Sequence, residues 1–410
     1  MADFLSTRDM GSDIVERLAE GDTSSANVDF IMEKLERALP CMSNDMDVVQ
    51  NSIKTALSRA RGVGEKITGV RREIERAVFQ KHLLPLFSIL SMPSVETAMF
   101  DRPQRTSFLA LRYQKKGREG VAAQLQKDGA EFEEIPWCSD GVSIAQVPIR
   151  FPWGAYKSSV KYPNANPSVY ESDATRMIPS VLATAHIHGH ADVLDMCAAL
   201  GGISIGLLNA LSTHGGHLIS NDRDTRRAAG LQNILEVHHA RESGAKSTVM
   251  NCDAEHLVMR YPEQFDAISC DPSSSGLANL GRDKGPWDIS SSERIARCAL
   301  EQRRLLQGAI HALKVNGRAV YSVETFTVEE CERVVSDVLQ HFRGAVRALD
   351  PMRDISGTGH WDLEPALQLS EKVQDHLCME HFPALRLSPE IFGGRSRGGF
   401  VACIEKTAST

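Results

Sequence analysis

The chain has 410 residues, of which 42% are hydrophobic and 24% charged, so it is long enough for two or three globular units with buried cores. Its formal net charge of -7 at pH 7 excludes a general affinity for polyanions, and any nucleic-acid surface must be a local patch. Nine cysteines without CxxC spacing argue against a disulfide framework or a metal site, and the absence of a run of about 18 apolar residues argues against a membrane span.

Residues 1–95 are predicted to form a helical N-terminal extension, because apolar residues recur at helical spacing in residues 13–20, 28–39 and 47–90. Asn27 is a suitable N-cap for the second of these helices. The last stretch carries a run of cations: Lys54, Arg59, Arg61, Lys66, Arg71, Arg72, Arg76 and Lys81. Such a run is typical of a solvated helix face, and an RNA contact is the more specific alternative.

The first 22 residues are acidic and lack a signal-peptide core and the Arg-rich composition of a mitochondrial presequence. An intracellular protein is therefore expected, cytoplasmic or nucleolar by default. Mitochondrial import by another signal stays open.

Residues 96–167 are predicted to form a small α/β domain, in the order strand (107–114), helix (117–129), strand (130–137). From residue 168 to 410 the pattern alternates regularly between strands and helices. Strands are predicted at 191–199, 216–222, 246–253, 265–271, 318–325, 344–350 and 398–406, and helices at 223–240, 291–317 and 327–342. This alternation predicts a Rossmann-like, doubly wound, mostly parallel sheet of seven strands, in which the spacing leaves the direction of the last strand open.

Ligands of open α/β sheets bind at the carboxyl ends of the strands. Gly201 and Gly202 follow the first strand of this sheet and allow a tight turn close to a ligand. Asp222, at the end of the second strand, can accept both hydroxyls of a ribose, and Asp253, at the end of the third, can accept from an adenine amine. Neither GxGxxG nor a P-loop is present, so the pattern favours an adenosine-containing cofactor, with S-adenosylmethionine the natural fit.

Six segments resemble, in order, motifs of the Nop/Sun (Fmu-like) family of RNA cytosine-5 methyltransferases. "SDATRMIPSVL" is similar to QDxxSMxP, "VLDMCAALGGISIGLL" to VLDMCAAPGGKT, "SNDRDTRRAAGLQNI" to ANDxDxxRxxxLxxN, "DAISCDPSSSG" to DxxLxDxPCSG, "RAVYSVETFTVEECERVV" to RxVYSTCSxxPxENExVV, and "FGGRSRGGFVACIEK" to GGFFxAxxxK. The resemblance covers about residues 100–406 and implies a class I methyltransferase fold that acts on RNA with S-adenosylmethionine. The cofactor-binding residues it implies are Cys197, Ala198, Gly201, Gly202, Asp222, Asp253 and Asp271.

Both cysteines of the family mechanism are missing from this chain. In the family, a thiolate in YSTCS adds to cytosine C6, and a second cysteine in PCSG supports release of the product. The matching positions hold Glu324 and Ser274. A serine needs a general base, and the sequence places neither His214 nor His256 beside Ser274. We therefore predict no 5-methylcytosine formation.

Two other cysteines, Cys270 and Cys331, lie close to these motifs. They are expected to be buried structural thiols, because free cysteine is among the most buried residue types.

The cofactor loop also departs from the family motif, because Leu200 replaces its proline and Ile203 its lysine. In the family that lysine helps to hold the methionine carboxylate. Loss of a charge-assisted hydrogen bond costs about 1.5–3 kcal/mol, so binding of S-adenosylmethionine is expected to be weak or lost.

Three functions stay open at this point. The first is a catalytically inactive family member that serves as an RNA- and protein-binding scaffold in ribosome biogenesis, with a protein partner on the helical extension. The second is an active methyltransferase for rRNA or tRNA with altered chemistry, in which Asp271 and Glu324 accept the proton. The third is a regulatory subunit of an active methyltransferase.

The candidate RNA contacts are short basic clusters: Lys115 and Lys116, Lys157 and Lys161, and Arg395 and Arg397. Trp153, Tyr156 and Tyr162 are candidates for base stacking. The alternative for each cluster is an ordinary solvated loop.

Overall fold

The computed structural model describes residues 28–33, 46–59, 63–82, 86, 99–100, 106–110, 117–127, 129–144, 169–238, 244–280, 292–355, 362–392, 396 and 398–410. The helix predicted at 13–20 and all six candidate RNA contacts (Lys115, Lys116, Lys157, Lys161, Arg395 and Arg397) lie outside these residues, as do the stacking candidates. They stay predictions.

Two helices form the described part of the N-terminal extension, α1 (Met46–Arg59) and α2 (Val63–His82), and residues 28–33 are also helical. Their apolar side chains are buried, among them Ile53, Ile74 and Phe79. These side chains share one hydrophobic cluster with Leu277, Ala278, Ile295, Phe326, Leu369 and Val373 of the larger domain. The buried apolar side chains of these helices are therefore covered within the chain.

The cations of α2 are partly neutralised by neighbouring carboxylates. Arg71 pairs with Glu75 at 2.8 Å and Arg76 with Glu73 at 3.7 Å, whereas Arg72 is exposed. Spacings of three and four residues bring such side chains together on one helix face. These two pairs are partly buried and neutralised within the chain, which disfavours an RNA contact by Arg71 or Arg76.

The small domain is an antiparallel sheet in the order β2-β3-β1-β4. Its elements are β1 (Thr106–Ala110), α3 (Gly117–Lys127), β2 (Phe132–Glu134), β3 (Gly141–Ile144) and β4 (Val169–Glu171). The sequence did not predict β3, which pairs with both β1 and β2. Strand β4 joins this sheet although it lies beyond the predicted domain boundary at residue 167.

The larger domain contains eight strands and seven helices among the described residues. In chain order they are α4 (Ile178–Thr184), β5 (Ala191–Asp195), α5 (Gly202–His214), β6 (Gly216–Asn221), α6 (Thr225–His238), β7 (Ala245–Met250), α7 (Ala254–Met259), β8 (Phe265–Cys270), α8 (Ser292–Ala312), β9 (Leu313–Val323), α9 (Glu332–His341), β10 (Val346–Leu349), α10 (Glu364–His376), β11 (Leu385–Leu387) and β12 (Gly399–Lys406).

These strands form one sheet in the order β10-β12-β9-β8-β5-β6-β7, and β11 pairs with β12. The pairs β8–β9, β5–β8, β5–β6 and β6–β7 are parallel, whereas β12 runs antiparallel to β9, β10 and β11. The chain order reverses between β5 and β8, which is the switch point where open α/β sheets bind ligands. The predicted Rossmann-like fold is confirmed, with the short strand β11 as an addition to the seven predicted strands.

The helix predicted at 291–317 was too long. The helix ends at Ala312, and Leu313 already pairs with Phe265 of β8. Gly317 lies so close to the neighbouring strand that a Cβ atom there would sit 3.1 Å from the carbonyl oxygen of Asp266. A glycine near the end of a helical pattern here marks close backbone approach within a strand.

Within the described residues, no helix is both long enough and apolar enough to cross a membrane.

Contact between α4 and α5 yields a stability prediction, because α5 carries the turn that follows β5. A Cβ atom at Gly206 would lie 2.7 Å from the Cβ atom of Ser180, whereas one at Gly202 would meet nothing within 4 Å. Gly206→Ala is therefore expected to lower the free energy of unfolding by about 1–3 kcal/mol through overpacking. The matched control Gly202→Ala should leave it within about 1 kcal/mol. Urea denaturation measures both, and equal effects of the two variants would contradict the close packing.

Candidate functional site

A cleft of about 450 Å³ lies along the carboxyl ends of β5, β6, β7, β8 and β9. This volume is within the range of small-molecule sites. Among the described residues, ten charged side chains line it: Arg176, Arg223, Arg227, Arg294, Asp222, Asp253, Glu255, Asp271, Glu301 and Glu324. Carboxylates outnumber guanidinium groups six to four, so the cleft favours a cationic ligand.

Asp222 lies at the end of β6, as the sequence predicted, and its side chain is only 4% exposed. Its carboxylate accepts backbone N–H groups from Ala199 at 2.9 Å and from Asp224 at 2.8 Å, and it pairs with Arg227 at 3.1 Å. These contacts join the loops that follow β5 and β6. Asp222 thus shapes the floor of the cleft in addition to lining it.

Asp253, at the end of β7, lines the cleft and also caps α7. Its Oδ1 atom accepts the backbone N–H of Glu255 at 2.8 Å and that of His256 at 3.4 Å. An aspartate at this position satisfies N–H groups that have no partner in the first helical turn.

The turn after β5 is built by glycine, as predicted. Gly201 adopts a left-handed conformation with φ 87°, and a Cβ atom there would lie 2.8 Å from Cδ1 of Leu231. Of the predicted turn residues, Cys197 lines the cleft, while Ala198, Gly201 and Gly202 form the turn without lining it. The structure also shows the two departures in this loop: Ile203 is buried in the core, and Leu200 is 55% exposed. Both side chains are apolar, so neither supplies a cation.

Asp222, Asp253 and Cys197 line one side of the cleft, where the sequence predicts the adenosine part of S-adenosylmethionine. Asp222, Asp253 and Cys197 are the residues that would hold it. At the methionine end, the buried Ile203 offers no charge-assisted bond for the carboxylate.

Arg176 occupies the other end of the cleft, and sequence reasoning missed it. Its guanidinium donates to Asp271 through two nitrogen atoms, at 3.2 and 2.7 Å, and its Nε atom lies 3.4 Å from Oε1 of Glu324. Burial acts to lower the pKa of Arg176, but Asp271 and Glu324 outweigh it and hold that pKa above its usual value. We call these three residues the Arg176 network.

Further hydrogen bonds fix both carboxylates of the Arg176 network. Ser322 donates to Oδ1 of Asp271 at 2.7 Å, and Asn279 donates to Oε2 of Glu324 at 2.8 Å. Both oxygen atoms of Glu324 therefore have partners. A sequence signal for Arg176 did exist, because Arg176 stands at the position of the serine in QDxxSMxP.

Ser274 lines the cleft, but its hydroxyl accepts the backbone N–H of Gly276 at 3.2 Å. Within the described part of the chain, neither His256 nor His214 forms a hydrogen bond to it, and His214 lines a different cavity. The next residue, Ser275, donates its backbone N–H to the buried Glu330 at 2.8 Å and shares a hydroxyl hydrogen bond with Thr325 at 2.7 Å. The serine loop is thus held to the segment after β9.

The cysteines near the site are not activated as nucleophiles. Cys270 and Cys331 are fully buried, as expected, and burial is the largest of the effects that raise their pKa. Cys197 is the one cysteine of the described residues that lines the cleft, and burial likewise raises its pKa well above the usual value. Since the thiolate is the reactive form, none of the three replaces the missing nucleophile.

Comparison with known proteins shows that this chain is similar to methyltransferases. A family model described as "16S rRNA methyltransferase RsmB/F" matches residues 183–360. A protein named ribosomal RNA small subunit methyltransferase F from Vibrio atlanticus is 28% identical over 294 residues, which cover 71% of this chain and 55% of that protein. Its namesake from Aeromonas salmonicida is 28% identical over 234 residues, which cover 57% of this chain and 47% of that protein. The chain thus spans about half the length of the curated relatives it matches.

Two solved structures from Pyrococcus horikoshii share the fold. A methyltransferase homolog has a TM-score of 0.58 and 23% identity, with 80% of this chain and 99% of that chain covered. NSun6, solved with SFG, has a TM-score of 0.58 and 15% identity, with 80% and 98% covered. The class I methyltransferase fold and the resemblance to the Nop/Sun family are confirmed.

Asp195 provides a pH prediction. Its side chain is fully buried at the end of β5, where Ser204 donates to it at 2.6 Å, and burial raises its pKa to about 7. The folded chain therefore binds this proton more tightly than the unfolded chain, and the resulting stability is present below about pH 4 and lost as the pH rises through about 7. Unfolding free energies of wild type and Asp195→Asn are measured from pH 4 to 8. Over that window the wild type should lose roughly 2–4 kcal/mol more stability than Asp195→Asn.

Asp224 is the control for this prediction, because hydrogen bonds from the backbone N–H groups of Arg227 and Arg226 lower its pKa. Its contribution has the opposite sign: it is present above about pH 4 and lost at lower pH. Asp224→Asn should therefore leave the slope between pH 5 and 8 unchanged. Parallel curves for wild type and Asp195→Asn would contradict a protonated Asp195.

Proposed function

We propose that this chain, a relative of the Nop/Sun RNA methyltransferases, does not form 5-methylcytosine and serves as an RNA- and protein-binding scaffold in ribosome biogenesis. The observation that carries the proposal is the Arg176 network. Within this network, Glu324 occupies the position where the family places its nucleophilic cysteine, and both of its oxygen atoms have partners.

Each step of cysteine-based catalysis lacks a suitable group. A carboxylate paired with Arg176 is a poor substitute for a thiolate that adds to a pyrimidine ring. Ser274 lies in the second cysteine position with its hydroxyl bonded to the backbone of its own loop. Proton transfer from that hydroxyl would require a base within hydrogen-bond reach, and the described residues place none there.

The cofactor would be held by the adenosine side of the cleft, through Asp222, Asp253 and Cys197. When bound, S-adenosylmethionine supplies a methyl group on a cationic sulfur atom, and the excess of carboxylates in the cleft suits that charge. The buried Ile203 in place of the loop lysine supports weak binding, about ten- to a hundredfold below that of a site with the lysine. A scaffold is less affected by this loss than an enzyme, because only the enzyme needs the cofactor bound for its function.

The alternative of nitrogen or ribose-oxygen methylation assigned Asp271 and Glu324 as proton acceptors. In the Arg176 network, Asp271 is held by a two-point ion pair and by Ser322. Both carboxylates already contact a fixed cation, which competes with a reacting group for their oxygen atoms. This arrangement favours the inactive scaffold over an enzyme with altered chemistry.

Ribosomal RNA is the proposed partner, because the relatives are named as methyltransferases of small-subunit ribosomal RNA. The proposed contacts are the basic clusters at Lys115 and Lys116, Lys157 and Lys161, and Arg395 and Arg397. A protein partner is proposed on the outer surface of the helical extension, where Lys54 and Arg72 are exposed. The proposal places the chain in the cytoplasm, the nucleolus or the mitochondrion, wherever its ribosomal particle is assembled.

The catalytic part of the proposal is tested with radiolabelled S-adenosylmethionine and RNA from assembling small ribosomal subunits. We expect no labelled 5-methylcytosine from the wild-type chain, since both thiols are missing. A Nop/Sun relative that retains both cysteines is the positive control under the same conditions. Labelled 5-methylcytosine from this chain would overturn the proposal, and a label on another atom would revive the altered-chemistry enzyme.

RNA binding is tested by measuring how affinity for the same RNA depends on salt. Lys115→Gln/Lys116→Gln, Lys157→Gln/Lys161→Gln and Arg395→Gln/Arg397→Gln should each reduce the slope of log K against log salt by about 1–2. Lys54→Gln/Arg72→Gln removes two exposed cations from the extension and should leave the slope unchanged. If the slope falls only in the Lys54→Gln/Arg72→Gln variant, the RNA surface assigned to the three basic clusters is wrong.

A further inference from the structure

Two departures from the Nop/Sun motifs touch each other in this structure. The motif QDxxSMxP has a serine where this chain has Arg176, and YSTCS has a cysteine where it has Glu324. The Nε atom of Arg176 lies 3.4 Å from Oε1 of Glu324, although the two residues belong to different segments of the chain. A new cation and a new anion have thus taken neighbouring positions in the cleft.

Charge explains why the two replacements belong together. Asp271 follows β8 and Glu324 follows β9, and these strands are adjacent and parallel. Their side chains are only 12% and 26% exposed, so two unpaired carboxylates there would repel each other with little screening. Arg176, itself 24% exposed, bridges them and offsets that repulsion.

The position of the guanidinium also has a steric consequence. A pyrimidine can react with a group at position 324 only if its C6 atom approaches that side chain, which requires the space directly beside it. Arg176 holds one side of this space, because it contacts Glu324 and is fixed to Asp271 by two hydrogen bonds, while Glu324 lines the cleft with its remaining surface. A guanidinium fixed at two points leaves its position less readily than a singly bonded side chain.

We propose that Arg176 is a third inactivating replacement, which acts as one unit with Glu324 and fills the acceptor end of the cleft so that a nucleobase cannot enter. This inference rests on the proposed loss of 5-methylcytosine formation and extends it: restoration of the cysteines alone leaves the acceptor end closed. The cleft then retains its adenosine side and lacks a place for a target base.

The test uses a thiol as a probe of the space at position 324. Glu324→Cys is prepared with Arg176 retained and with Arg176→Ser. The rate of alkylation by iodoacetamide is followed at that site by peptide mass spectrometry from pH 6 to 10. The thiolate displaces iodide to form a sulfur–carbon bond, and the thiol proton goes to the buffer. The pH profile separates the pKa of the thiol from the limiting rate of its thiolate.

We expect opposite effects of Arg176 on the two quantities. The nearby guanidinium should lower the pKa of the introduced thiol, because a cation favours the thiolate. Since the same group covers the sulfur atom, the limiting rate should be at least tenfold lower with Arg176 than with Arg176→Ser. A role confined to folding stability moves neither quantity in the folded protein.

A matched control uses a second, more exposed ion pair of the cleft. Arg223 pairs with Glu301 at 2.6 Å, with side chains 55% and 34% exposed. Glu301→Cys should be alkylated at the same limiting rate with Arg223 and with Arg223→Ser. Arg176→Lys serves if Arg176→Ser fails to fold, since it keeps a cation beside Asp271 and should give an intermediate limiting rate.

Equal limiting rates for the Glu324→Cys variants with and without Arg176 would overturn the inference, since Arg176 would then not fill the acceptor end. Such a result would leave the proposed function standing. Conversely, 5-methylcytosine formation by the wild type would overturn the proposed function whatever the alkylation rates are.

Discussion

Adjacent parallel strands bring Asp271 and Glu324 to the same edge of the sheet, where two carboxylates need a cation between them. Arg176 supplies it with a two-point contact to Asp271 and a contact to Glu324. This ion pairing decides what the cleft can do. It offsets the repulsion between the two carboxylates, holds Asp271 in a fixed orientation and takes the space that a reacting base would require. The side of the cleft that holds Asp222 and Asp253 is left unaffected, because these two residues are held by contacts of their own.

Arg176 also links the two sheets of the protein. It lies in a short 3-10 helix (Ala174–Met177) that begins at Asp173, directly after strand β4 of the small domain. The indole of Trp137 in the small domain donates to the carbonyl of Ala174 at 3.0 Å, which anchors this segment to the small domain. On the other side of the cleft, Phe326 and Leu277 pack against the N-terminal helices. The cleft therefore lies where described residues of all three parts of the chain meet.

The sequence predicted the fold well because strand and helix periods depend on local residues. Asp222, Asp253 and Gly201 were located from their positions at strand ends, and the burial of Cys270 and Cys331 followed from the behaviour of free cysteine. Strand β3 has only four residues and was not predicted from its local pattern, and the end of α8 depends on pairing with β8. The cation shared by Asp271 and Glu324 was also missed: Arg176 and Asp271 are 95 residues apart, and no local pattern reports their pairing. The replacement of the serine in QDxxSMxP by Arg176 was the available signal. Only the contact between Arg176 and Glu324 in the structure explains it.

The most direct test of this account is a crystal structure of the chain soaked with S-adenosylmethionine. The account predicts that the guanidinium of Arg176 stays within hydrogen-bond distance of Asp271 and in contact with Glu324, with any bound cofactor confined to the side of the cleft that holds Asp222. A structure in which Arg176 has swung away, so that Glu324 and Asp271 face the cofactor methyl group across an open space, would contradict the account and support an active enzyme.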